Sequence, residues 1–374
     1  MKPHKFIIGL MSGTSMDGID AALVGFYDGG MQLTATHQHP WPASVKQQLR
    51  TLTRSEHISL GSFGGADAEC GQQFALATKG LLQKAGISGN QVEAIGCHGQ
   101  TIYHSPDSSP AFTIQIGDPN RVAQLTGITT IADFRRRDMA SGGQGAPLVP
   151  AFHQAIFQHR EHTRVILNIG GISNITLLPA HNQPVMGFDT GPGNCLLDYW
   201  INKHSGKSFD RGGTWAASGT PNQRLLDTLM DDDYFRQQPP KSTGTEYFSP
   251  RWLESRLSQY AAIPAADVQA TLVTLTAQSI GDMIKQHAAA CDSVLVCGGG
   301  VHNGLLLLQI GEQVPGIPVA STATAGMDPD WVEAQAFAWL ARETLAGRPG
   351  NLPSATGASQ PVILGGIYPA VSYT

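Results

Sequence analysis

The sequence predicts an α/β fold arranged as two related halves, and three observations carry that prediction. Strand-like apolar runs alternate with helix-like ones along nearly the whole chain, the pattern of sheets covered by helices. Two stretches, KFIIGLMSGTSMDGIDAALVGF from Lys5 and RVILNIGGISNITLLPA from Arg164, repeat one plan of apolar strand, Gly/Ser/Thr-rich turn and apolar strand, which points to two similar half-structures. At 374 residues the chain also exceeds the size at which one core keeps growing, so two domains are expected.

In chain order, residues 6–11, 19–26, 92–96, 112–116 and 129–133 read as strands of the first half, and 165–169, 174–178, 185–189 and 293–297 as strands of the second. Helices are expected over 66–85, 148–160, 195–204, 223–230 and 266–287. The clearest helix signal is MDPDWVEAQAFAWLARETLAG, where Asp328 can cap, Pro329 suits the first helical position and Gly347 can stop the helix. The tail GASQPVILGGIYPA reads as a final strand-like packing segment. Glycine and proline concentrate in SGGQGAPLVP, residues 141–150, where the boundary between the halves is expected.

Composition narrows the function. With 41% hydrophobic and 14% charged residues the chain resembles an ordinary soluble enzyme, and 43 glycines with 23 prolines imply many loops and close backbone approaches. A net charge of -5 argues against nucleic acid as a partner. Cys70, Cys97, Cys195, Cys291 and Cys297 form no CxxC pair, which disfavours zinc and a disulfide framework and fits a reducing cytoplasm. The apolar run 6–11 is shorter than a signal peptide needs, and no run is long enough to span a membrane, so no membrane partner is expected.

Between the first two strands lies Ser12-Gly13-Thr14-Ser15-Met16-Asp17-Gly18, more residues than strand reversal needs. Gly13 and Gly18 let backbone amides approach an anion, and Ser12, Thr14 and Ser15 add hydroxyl donors, so phosphate is the natural guest. Asp17 would repel bare phosphate and makes sense beside a water-bridged Mg²⁺ that accompanies a nucleotide. The competing reading is a hairpin loop whose polar side chains satisfy their own backbone. The paired turn over 168–174, with Gly170 and Gly171 at its centre, favours phosphate.

Other nucleotide signatures fail: neither GxxxxGK[ST] nor GxGxxG occurs, and GxSxG and HExxH are absent too. A third cluster, Gly298-Gly299-Gly300, joins a strand to a helix, either as a surface on which an adenosine lies flat or as a close-packed turn. In FDTGPGN, Asp189 ends a strand above a glycine-rich loop and is the leading candidate for a general base. Its alternative as a helix cap is weakened because Asn194 stands closer to the helix at Cys195.

CHGQT and DFRRRD look like ligand walls, offering His98, Gln100 and Thr101, then Asp133, Arg135, Arg136, Arg137 and Asp138. An arginine here could take a substrate carboxylate in bidentate fashion, whereas His98 could equally be a hydrogen-bonded core residue. Glu333 sits near the start of the last helix, where an acid also suits the helix dipole.

Paired phosphate hairpins, a later glycine-rich adenosine loop and a C-terminal helix resemble the actin/Hsp70/hexokinase superfamily, in which ATP lies in the cleft between two ribonuclease H-like α/β domains. GLMSGTSMDGID, CHGQT, DFRRRD, GGQGAPLVP, NIGGISNIT, FDTGPGN and CGGGVHN, in this order, resemble the 1,6-anhydro-N-acetylmuramic acid kinase family. The resemblance implies a bacterial enzyme of cell-wall recycling. It would use ATP and water to open the anhydro bridge of 1,6-anhydro-N-acetylmuramic acid and phosphorylate O6, giving N-acetylmuramic acid 6-phosphate and ADP. Carried over, Gly13, Thr14, Ser15, Met16, Asp17, Gly18, Ile19 and Asp20 match the ATP-binding stretch, and Asp189 matches the catalytic base.

The sugar's lactyl carboxylate would meet Arg135 or Arg137, and Glu333 matches a substrate-side acid. The domains expected are 1–145, completed by 331–374, and 146–330, closing over ATP and sugar. A homodimer is compatible with the sequence, which leaves the oligomeric state open. Two other readings are a switching ATPase without a small substrate and a glycosidase pairing Asp189 with a second carboxylate. The first lacks a client-binding segment after residue 330, and the second leaves the phosphate hairpins idle.

Overall fold

A strand covered by helices on both faces needs a near-continuous apolar run, and residues 6–11 supply one. A computed structural model describes residues 5–13, 16–55, 57–181 and 183–370. It divides into two units, Met1–Phe152 with Trp331–Thr374, and His153–Asp330.

In the first unit β1 (Lys5–Ser12), β2 (Ile19–Tyr27) and β3 (Gly30–His39) form an antiparallel meander. Strand β4 (Val92–Ser105) lies parallel to β1, takes β5 (Phe112–Ile116) as an antiparallel partner, and is followed by the parallel β6 (Thr130–Ala132). Alternation along β1 and β2 sends side chains to two cores. Ile8, Leu10 and Leu23 pack with Phe74, Ala77 and Leu81 of the helix Leu60–Ala85. Ile7, Ala22 and Val24 pack with Ala334, Phe337 and Ala338 of the helix Val332–Leu345.

The second unit repeats the plan. β7 (Arg164–Ile169), β8 (Ile172–Leu178) and β9 (Met186–Pro192) form the meander, β10 (Ser293–Cys297) lies parallel to β7, and β11 (Val319–Ser321) is parallel to β10. The last strand, β12 (Gly366–Tyr368), returns to the first unit antiparallel to β6. The orders β3-β2-β1-β4-β6 and β9-β8-β7-β10-β11 are the same, so both units have the ribonuclease H-like arrangement. No helix among the described residues is long and apolar enough to cross a membrane.

Three local expectations need correction. Asp328 does not cap the C-terminal helix, which begins only at Val332; its Oδ1 instead accepts the Asp330 amide at 3.1 Å, and the Pro329 carbonyl takes the Gly298 amide. Asn194 makes no side-chain cap either, because its amide donates to Ile169 O at 3.2 Å. The second hairpin turn is only Gly170-Gly171, since Asn168, Ser173 and Asn174 are already paired in β7 and β8. Gly347 does end its helix as expected, with φ 67 and an amide bonded to Thr344 O.

Candidate active site

In the first unit, β1 and β2 are in register up to Met11 and Asp20, which leaves the loop from Gly13 to Gly18 at the end of the hairpin. Thr14 and Ser15 lie outside the described residues. Met16 has a left-handed φ of 55 yet is buried in the core beneath the loop, a conformation that costs about 1–2 kcal/mol for a residue with a side chain. Its side chain anchors the loop, as the buried Ile19 does, so only their main chains are placed to meet a ligand. The Asp17 carboxylate is exposed and lies 3.6 Å from Lys46 Nζ, while Asp20 accepts from Gln38.

Gln100 is fully buried and latches this loop to β4. Its amide nitrogen donates to Gly13 O and Thr101 O, each at 3.2 Å, and its oxygen lies 2.7 Å from the Ser12 hydroxyl. Ser12 Oγ is also 2.9 Å from Gly18 O and accepts the Trp41 indole N–H. The base of the loop is thus tied at both ends.

His98 and Arg135 come together as a pair. His98 Nδ1–H donates to Gly99 O at 2.8 Å, so Nε2 is left to accept from Arg135 Nε and Nη2 at 3.2 and 2.9 Å. Burial, with the Arg135 charge second, lowers the His98 pKa to about 3, and the ring stays neutral. Arg135 Nη1 donates to Gly145 O at 2.8 Å, so the guanidinium is largely occupied.

Arg137 differs: it is exposed, and its side chain makes no hydrogen bond or ion pair among the described residues. Asp138, expected in the same ligand wall, is instead a buried tie. It accepts from Asn351 and Thr356 on one oxygen and from the Gly145 amide on the other. Glu333 is half-buried in the first turn of its helix.

In the second unit the glycines divide by cause. A Cβ at Gly300 would stand only 2.3 Å from Ile169 Cγ2, so packing on the second hairpin requires glycine there, while at Gly298 a φ of 79 adds to a Cβ approach of 2.4 Å to Asn168 Oδ1. A Cβ at Gly299 would meet nothing nearer than Asn194 Nδ2 at 3.9 Å, and one at Gly170 nothing nearer than 3.5 Å. Those two positions keep bare backbone beside open space, which is where a flat or anionic group can approach. The Gly170 and Gly171 carbonyls accept the amides of residues 193–195, which fixes the loop that follows Asp189.

Asp189 is held on three atoms. Its amide donates to Lys241 O at 3.1 Å, its carbonyl accepts the Tyr234 hydroxyl at 2.8 Å, and its Oδ2 accepts the Thr243 amide at 2.9 Å. The carboxylate is half-buried on β9.

A family model described as anhydro-N-acetylmuramic acid kinase matches residues 5–370. The chain belongs to the anhydro-N-acetylmuramic acid kinase family. It is 50% identical over 370 residues to the anhydro-N-acetylmuramic acid kinase of Shewanella loihica, covering 99% of this chain and 100% of that one. Against the enzyme of the same name from Pasteurella multocida the identity is 51% over 366 residues, 97% of each chain. A solved structure of the activator of 2-hydroxyisocaproyl-CoA dehydratase from Clostridium difficile with bound ADPNP is similar at a TM-score of 0.44 and 12% identity, covering 90% of this chain and 97% of that one. This member of the kinase family is a phosphotransferase with an alcohol group as acceptor.

The kinase family member carries three residues near Asp189 that sequence reasoning passed over: Tyr234, Lys241 and Thr243. They lie in DYFRQQPPKSTGTEYFSP, residues 233–250, which matches no nucleotide signature. The available signal was a lone lysine beside serine, threonine and glycine. Among the described residues no three His, Cys, Asp or Glu side chains converge to hold a metal ion by themselves.

Proposed function

We propose that the chain converts 1,6-anhydro-N-acetylmuramic acid, ATP and water into N-acetylmuramic acid 6-phosphate and ADP, in the cytoplasm, as a step of bacterial cell-wall recycling. The observation that carries this reading is the fixed carboxylate of Asp189 beside a glycine-rich backbone. Thr243 fixes one oxygen of Asp189, so the carboxylate has a set direction in which to take a proton from water. The water oxygen then bonds to the anomeric carbon, the C1–O6 bond breaks, and O6, now free, attacks the γ-phosphate as the bond to ADP breaks.

The open faces of Gly170 and Gly299 fit a nucleotide, with Gly171, Gly298 and Gly300 shaping the backbone there. Gly13, Thr14, Ser15, Met16, Gly18, Ile19 and Asp20 form the other ATP-binding stretch we propose. Asp17 fits one carboxylate of a largely hydrated cation, because it is exposed and, among the described residues, no group of three acidic, His or Cys side chains converges on a metal. Mg²⁺, when bound, supplies charge neutralisation on the phosphates.

On the sugar side we assign the lactyl carboxylate to Arg137, whose donors are uncommitted among the described residues, rather than to Arg135. His98 orients Arg135, Gln100 orients the first loop, and Glu333 serves as a substrate-side acid. The domains that work in this way are taken as 1–145 completed by 331–374, and 146–330.

The test is mass spectrometry of the sugar product after incubation with Mg-ATP in ¹⁸O-labelled water. A product that has gained phosphate and one labelled oxygen is expected. Gain of phosphate without that oxygen removes the water-activating step.

A further inference from the structure

We propose that Lys241 is a positioning residue for Asp189, its buried ammonium group supplying the positive charge that acts on the carboxylate which the Thr243 amide orients. This rests on the reading of Asp189 as the base. Lys241 is only 4% exposed, and a buried lysine is rare unless a partner offsets the loss of water. Its Nζ lies 4.6 Å from the Tyr234 ring centroid and 3.3 Å from Tyr234 O.

The same short segment grips Asp189 through the Lys241 carbonyl, the Tyr234 hydroxyl and the Thr243 amide. Main chain and charge therefore act on one carboxylate from one piece of chain. A segment needed only for packing would bury an apolar side chain at this position.

The titratable groups that face the ammonium are Asp189 from β9, Tyr234 from the helix Asp233–Arg236 and His287 from the helix Ala265–His287. Burial, then the Asp189 charge, raises the Tyr234 pKa, so the phenol stays neutral. Burial, then Lys241, lowers that of His287, so the imidazole is neutral at pH 7. Burial brings Lys241 down to about 8 against the opposing pull of Asp189, so it is still mostly charged at pH 7. Of Tyr234, Lys241 and His287, Lys241 alone then carries positive charge. A positive neighbour favours the ionised carboxylate, and its removal raises the carboxylate's pKa.

The experiment measures kcat/KM for the anhydro sugar against pH in the wild type, Lys241→Met, Lys241→Gln, Lys241→Arg and Asp189→Asn, with thermal melts of each. In Lys241→Met the acid limb should move up by about one pH unit, giving a roughly tenfold deficit on that limb that closes at higher pH. Lys241→Arg should keep the wild-type limb. Lys241→Gln repeats the charge removal if the methionine variant fails to fold.

A Lys241→Met or Lys241→Gln enzyme with an unmoved acid limb overturns the proposal, as does an equal loss at every pH, which is the mark of a packing role. Activity surviving in Asp189→Asn overturns the base reading and the role of Lys241 with it. An inactive Asp189→Asn with unmoved limbs in the Lys241 variants overturns the lysine proposal alone.

Discussion

The backbone amide of Thr243 donates to Oδ2 of Asp189 at 2.9 Å, joining residues 54 apart in sequence. A carboxylate steered by main chain keeps its direction when neighbouring side chains change. In Asp189→Asn the side-chain oxygen can still accept from Thr243, so the geometry survives while the base is lost. We expect kcat to fall by about 10²–10⁴-fold, the usual worth of a general base, with the melting temperature near that of the wild type. Steady-state kinetics and a thermal melt check this, and a variant keeping a tenth of the activity would exclude Asp189 as the base.

Arg135 and Arg137 should separate into a structural and a binding residue. Arg135→Ala strips donors from the buried His98 Nε2 and from Gly145 O, leaving buried acceptors unmet at about 1–3 kcal/mol each, so its melting temperature should drop. Arg137→Ala should leave the melt unchanged and raise KM for the sugar by roughly tenfold to a hundredfold, the worth of a charged hydrogen bond. A substrate analogue lacking the lactyl carboxylate decides the matter. Wild type and Arg137→Ala should then have the same KM, and a persisting difference would refute the assignment.

The part of this architecture that could be read from the sequence is the part written in apolar runs. β1, β2, β7 and β10 are buried on both faces, and their continuous Ile, Leu and Val stretches announce them. β3, GMQLTATHQH, hides because one of its faces is exposed and its residues are mostly polar. The glycine clusters pointed to the hairpins and to the turn after β10, but not to which glycines serve packing, since that depends on Ile169 and Asn168 across the sheet. Lys241 was invisible for a similar reason: nothing local marks a lysine as buried in a loop whose main chain meets Asp189 of a distant strand.

Acid should loosen the segment that carries Lys241. Its N-terminal end is fastened by Asp232, whose carboxylate accepts from Tyr234 N, the Tyr247 hydroxyl, Trp252 Nε1 and Arg256 Nη2. Burial alone would raise the Asp232 pKa, yet these hydrogen bonds and the Arg256 charge carry it below the usual carboxylate value. A carboxyl with a depressed folded-state pKa contributes stability above its unfolded value and loses it as pH falls through the folded one. The gap in melting temperature between wild type and Asp232→Asn should therefore be constant from about pH 5 to 7 and narrow below about pH 4. At neutral pH the variant should be less stable by about 3–5 kcal/mol, as expected when one partner of a buried, multiply bonded ion pair is neutralised. A gap that stays constant down to pH 3 would show that the charge of Asp232 contributes nothing.

Gly299 and Gly300 are adjacent, yet alanine should act on them in opposite ways. A Cβ at Gly300 would overlap Ile169, with Cγ2 at 2.3 Å and Cβ at 2.5 Å. Relief would push β10 away from the second hairpin at about 1–3 kcal/mol, and Gly300→Ala should melt lower whether or not nucleotide is present. A Cβ at Gly299 has no protein atom closer than 3.9 Å, so Gly299→Ala should melt like the wild type. Its methyl group would occupy the space we propose for the adenosine, and KM for ATP should rise by roughly tenfold or more, while KM for the anhydro sugar is unaffected. If Gly299→Ala binds ATP as tightly as the wild type, the base or ribose does not rest on this turn, and the nucleotide contacts must be sought at Gly170 and the first hairpin instead.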